Sequence, residues 1–107
     1  MLHWDQRTHV YRSRAPLRRT NERRLRALAE AGELEVPARF VCECGACDCD
    51  RRMLMTGDEV RRALAPPGNA IVVPGHHRAG ERVILSRRHY AIVVSGPALF
   101  NLVEPGF

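Results

Sequence analysis

At 107 residues and 12.1 kDa, with 45% hydrophobic residues, the chain has room for one domain with a modest core. No stretch approaches the roughly 18 apolar residues of a membrane-spanning helix, and the opening MLHWDQRTHVYRSRAPLRR carries cations without the apolar run of a secretory signal. A cytoplasmic protein with reduced thiols and no membrane partner is therefore expected.

The formal charge of +5 is unevenly spread. Residues 1–28 hold eight Arg against Asp5 and Glu22, a net of +6, and the remainder nets −1. Every basic residue is Arg, as GC-rich coding would produce. Residues 1–16 lack periodicity and read as a basic N-terminal extension, with Trp4 and Tyr11 among Arg7, Arg12 and Arg14. Residues 17–96 read as the folded domain and residues 97–107 as a C-terminal tail.

A helix is predicted from Thr20 in TNERRLRALAEAG, capped by Thr20 or Asn21 and stopped by Gly32. Leu25, Leu28 and Ala29 share its core-facing stripe. Arg18, Arg19, Arg23 and Arg26 make a basic strip that could bind phosphate. ARFVCEC then reads as a strand entering a cysteine loop, and RRMLM as a strand leaving it. TGDEVRRALA opens with a capping box, Thr56 and Glu59, and stops at Pro66-Pro67-Gly68. NAIVVPGHH is a third strand ending in a Pro-Gly turn, and ERVILSRRHYAIVV is a hairpin turning near Arg87–His89. In SGPALFNLVEPGF, Leu99, Phe100 and Val103 are candidates to dock on the surface. The predicted fold is α+β: a small domain with an N-terminal helix, then a mostly antiparallel sheet with one inserted helix.

All four cysteines fall within VCECGACDC. Residues two apart in an extended strand point the same way, so Cys42 and Cys44 can approach one ion. The turn-rich GACD then returns Cys47 or Cys49 toward it. Four cysteines on one ion would require eight residues to wrap it, whereas structural zinc sites more often join two chain segments. His76, after the Pro-Gly turn, is the best-placed second-segment ligand, with His77 its competitor. His3, His9 and His89 read as surface or hairpin residues. Glu43, Asp48 and Asp50 read as charges that keep the loop soluble rather than as a catalytic pair.

The ordered series FVCECGACDC, MLMTGDEVRRA, AIVVPGHH and ERVILSRRHYAIVV resembles a family of small bacterial proteins of high-GC lineages with a C-E-C…C…P-G-H motif. The likeness covers roughly residues 21–94. It implies that Cys42, Cys44, Cys49 and His76 hold one zinc ion, with Cys47 an additional cysteine in the loop. Metalloprotease, deaminase and phosphate-loop motifs are absent from the sequence. The expected role is a zinc-binding regulatory or adaptor module that contacts another protein. The alternative is a nucleic-acid-binding zinc protein that uses the basic arm and helix.

Overall fold

The computed structural model describes residues 10–94. The expectations for His3, Trp4, Arg7, His9 and the C-terminal tail, including Leu99, Phe100 and Val103, lie outside the described residues. The elements are α1 (Ala15–Glu30), β1 (Pro37–Val41), β2 (Arg52–Thr56), α2 (Gly57–Leu64), β3 (Asn69–Val72), β4 (Arg82–Ser86) and β5 (Ala91–Val94).

α1 begins earlier than the expected Thr20, and the domain boundary drawn after residue 16 falls inside it. Pro16 occupies its first turn, where a missing N–H costs nothing, and the Ser13 hydroxyl accepts the Ala15 N–H at 3.1 Å. Thr20 is therefore interior, bonding back to the Pro16 carbonyl at 3.1 Å. The other end follows the sequence. Gly32 is left-handed at φ 70°, and the N–H groups of Gly32 and Glu33 reach Ala29 O and Leu28 O at 3.1 and 2.9 Å, a Schellman closure. Leu25 and Leu28 pack against the core, whereas Ala29 is exposed, so the apolar stripe is narrower than predicted.

β1 and β2 pair antiparallel, with Phe40 opposite Met53 and Arg39 opposite Leu54. Alternation turns Phe40, Met53 and Met55 inward and leaves Arg39, Arg52 and Leu54 on the outer face. α2 starts with the predicted capping box: Thr56 Oγ1 accepts the Glu59 N–H at 3.1 Å, and Glu59 Oε1 accepts the Thr56 N–H at 2.8 Å. Its Val60 and Ala63 are buried. β3, β5 and β4 form a second antiparallel ladder in that order, and every residue of β3 and β5 is buried. Both ladders and α2 share one apolar core.

The single sheet anticipated from the sequence is thus two ladders. Glu43, just beyond β1, links the two at the edge of β3. Its N–H donates to Ile71 O at 2.8 Å and its carboxylate Oε1 accepts the Ile71 N–H at 3.0 Å. One residue therefore satisfies the Ile71 backbone, where a pairing strand would otherwise be needed.

Thr56→Ala removes half of the capping box and should cost about 1 kcal/mol, lowering the melting midpoint by roughly 4–8 °C. A melt of the variant beside the parent chain, at equal metal content, measures this.

Candidate metal centre

Cys42, Cys44, Cys49 and His76 bring one ligand atom each to a common point, all four lying within 4.8 Å of one another. His76 Nδ1 is 3.8 Å from Cys42 Sγ and 3.7 Å from Cys49 Sγ. Cys42, Cys44 and His76 are buried and Cys49 is half-buried. Cys47 is exposed, and His77 is not part of the group.

Two turns produce this convergence. Past Val41 the chain leaves the β2 ladder and doubles back. Cys49 donates its N–H to Ala46 O at 3.1 Å, and Cys42 donates to Arg51 O at 3.0 Å. After β3, Val73-Pro74-Gly75-His76 closes with His76 N–H on Val73 O at 2.9 Å and Gly75 at φ 90°. Pro then Gly at the two central positions suits a type II turn, and the turn folds the imidazole back over the sulfurs.

The sulfurs sit among N–H donors. Val73 N–H points at Cys42 Sγ at 3.2 Å and Ala46 N–H at Cys44 Sγ at 3.5 Å. The Cys44 thiol is lowered to about 5, first because Cys42 hydrogen-bonds to its anion; the Cys42 thiol is raised by that same pairing and by burial. Burial raises the Cys49 thiol as well. Three soft sulfurs and one imidazole are a donor set that could bind one metal ion.

The residue between the first two cysteines does the opposite of what was expected. Glu43 is fully buried, not a solubilising charge. With Cys42 and Cys44 turned to one side, its carboxylate points to the other. There Oε2 accepts from Asn21 Nδ2 at 2.9 Å and Arg18 Nε at 3.2 Å. Asn21, considered above as a cap, is buried and also pairs with both backbone groups of Val41, each at 2.9 Å. Arg14 Nε donates to the Glu43 carbonyl at 2.6 Å. Arg14, Arg18 and Asn21 recur at i, i+4 and i+7, one polar stripe of α1 and the residue before it, aimed at a buried acid.

A second brace holds the loop from outside. Arg78 Nε donates to Cys44 O at 2.9 Å, its terminal nitrogen to Arg12 O at 2.6 Å, and its guanidinium lies 4.7 Å from the Tyr11 ring centre. Burial, then the nearby Arg14, lowers the Arg78 guanidinium below its ordinary range. Glu81 accepts from Arg14 at 3.0 Å and from the Arg78 N–H at 2.6 Å. Gly45, at φ 79°, leaves no room for a Cβ between Arg78 and the Arg12 carbonyl. Residues 10–12, assigned to the extension, lie against this loop: Cys47 N–H reaches Val10 O and Arg12 N–H reaches Gly45 O, both at 2.8 Å.

Of the basic strip, Arg18 is turned inward to Glu43 and the Asn69 carbonyl, whereas Arg19, Arg23 and Arg26 are exposed. No helix among the described residues is long and apolar enough to cross a membrane. No protein-family model, curated protein or solved structure matches the chain. The cluster of three cysteines and one histidine is compatible with the metal site expected from the sequence.

Glu43→Ala strands the donors of Asn21, Arg18 and Ile71 and should cost on the order of 3–5 kcal/mol. Glu43→Gln keeps the shape but turns an NH2 toward donors, so it should fall between Ala and the parent. Urea denaturation at equal metal content ranks the three. A midpoint unchanged in Glu43→Ala contradicts the role assigned to this acid.

Proposed function

We propose that the chain is a zinc-binding module in which Cys42, Cys44, Cys49 and His76 hold one structural Zn2+. The observation that carries this is the spacing of the donors. Zn–S bonds of about 2.3 Å and Zn–N bonds of about 2.0 Å imply tetrahedral edges of roughly 3.5–3.8 Å. The two sulfur–nitrogen separations, 3.8 and 3.7 Å, lie within a few tenths of an ångström of the sulfur–nitrogen edge of about 3.5 Å. A nitrogen as fourth donor favours zinc over an iron–sulfur cluster, which is usually held by cysteines.

Four protein ligands close the coordination sphere, whereas catalytic zinc ordinarily keeps a position for water. The nearest buried acid, Glu43, faces away from the sulfurs and is engaged by donors on α1 and β3. These features support a binding domain of regulatory or adaptor kind, whose surface contacts a partner and whose metal maintains the shape. The ion would join the loop after β1 to the turn after β3, segments some thirty residues apart along the chain.

Elemental analysis of the purified protein should give one zinc per chain. Removing it with a chelator should abolish most of the folding stability, because structural zinc is worth on the order of 10 kcal/mol. His76→Ala should lose the metal, while His77→Ala and Cys47→Ala retain it. Zinc in both His76→Ala and the parent, or an unchanged melt after chelation, contradicts the reading.

Zinc must also displace the protons that Cys42 and Cys49 hold above the usual thiol range. Apparent affinity should therefore rise steeply between about pH 6 and about pH 8, by on the order of 10^4-fold for two protons over two pH units once the chelator's own protonation is corrected. An affinity independent of pH contradicts the protonated starting state.

A further inference from the structure

Beside the metal centre, Arg39, Arg51, Arg52 and Arg88 line one open concavity of about 610 Å3, with His89 and Asp50 among them. They come from three separate stretches of chain, residue 39, residues 51–52 and residue 88, and all four are exposed. The β1–β2 register explains the first part of the cluster. Arg39 faces Leu54 and Val41 faces Arg52, so the two arginines lie diagonally on the outer face of the hairpin. Arg51 is the last residue before β2. Arg88 and His89 come from the β4–β5 turn, closed by Arg87 N–H on Tyr90 O at 2.8 Å.

Among the described residues none of these four guanidinium groups is ion-paired, whereas Arg14, Arg18 and Arg61 each bind a carboxylate. Asp50 is the single acid in the lining. Gathering four cations at one concave surface raises the potential there and favours an anion. The depression also continues along β2: a second concavity of about 350 Å3 shares Leu54, Arg88 and His89 with the first.

We propose that this groove binds the phosphodiester backbone of a nucleic-acid strand. Arginine forks match phosphate oxygens, and several forks along an open groove suit successive phosphates. A small phosphorylated ligand would instead favour an enclosed pocket. The first concavity contains neither Trp, Tyr nor Phe on which a base could stack, and the second only the buried Tyr90, so contact is to the backbone and tolerant of sequence. The groove lies on different residues from the α1 strip, one member of which, Arg18, is committed to the interior. The inference rests on the zinc reading in one respect: the Asp50–Arg51 wall continues directly from Cys49, and Arg51 O accepts the Cys42 N–H at 3.0 Å.

The test is fluorescence anisotropy of the full chain with labelled single-stranded DNA and RNA of about 20 nucleotides, at about 50 and about 200 mM salt. Zinc is quantified in each preparation. The groove predicts salt-dependent binding. The double variant Arg39→Ala/Arg52→Ala should weaken it on the order of tenfold or more and flatten the log–log salt slope by about 1.5. Arg23→Ala/Arg26→Ala should change it less than about threefold, within the scatter of exposed charges.

No binding, binding that survives the first pair of substitutions, or binding lost with the second overturns the groove. So does a phosphoserine peptide or inorganic phosphate that displaces the strand at equal phosphate concentration. One zinc per chain without binding defeats the groove alone. Binding through Arg39 and Arg52 in a chain that takes up no zinc defeats the metal reading alone.

Discussion

The strand-like alternation of Cys42, Glu43 and Cys44 is the constraint from which the remaining architecture follows. It sends two sulfurs toward His76 and one carboxylate toward α1 and β3. One short segment thereby becomes the meeting point of both ladders and the N-terminal helix. Zinc would tie its first side to the turn after β3, and a network of hydrogen bonds ties the second side to Arg18, Asn21 and Ile71. A domain of this size buries limited apolar area, so polar cross-links of this kind carry more weight than in a larger fold.

Electrostatics explains why two of the N-terminal arginines, Arg14 and Arg18, turn inward. A zinc ion with three thiolates and a neutral imidazole carries a net −1, and Glu43 and Glu81 add further negative charge nearby. Arg14, Arg18 and Arg78 answer it through carbonyls and carboxylates, at separations of 2.6–3.2 Å for Arg14 and Arg18 on Glu43 and 2.9 Å for Arg78 on Cys44. Removing either set of charges alone would leave the other desolvated without a counter-charge, the costly arrangement for buried ions. Among the described residues the outward-facing arginines of β1 and β2 pair with no carboxylate, which distinguishes them from the bracing set.

Local signals in the sequence were the most legible. Thr56 with Glu59, Gly32 after the first helix, and the Pro74-Gly75 turn each encode a backbone geometry through a few neighbouring residues, and each forms as read. The density of cysteines likewise pointed to a site, and order along the chain suggested His76. Glu43 was misread because an acid in a loop is ordinarily solvated; its burial depends on Arg14, Arg18 and Asn21 arriving from a separate element. The i, i+4, i+7 spacing of those three residues was the available signal, obscured by Arg19, Arg23 and Arg26 on the same period. The arginine groove was illegible for a related reason. A near-neutral total for residues 29–107 hides how strand register and a distant turn collect four cations in one place.

Metal coordination by residues from two distant segments is therefore the claim on which the account stands. X-ray absorption at the zinc edge of the purified protein addresses it without assuming a biological role. Three sulfur scatterers at about 2.3 Å and one nitrogen at about 2.0 Å are the predicted shell. A shell of four sulfurs, one of oxygen and nitrogen only, or no zinc edge at all would contradict it.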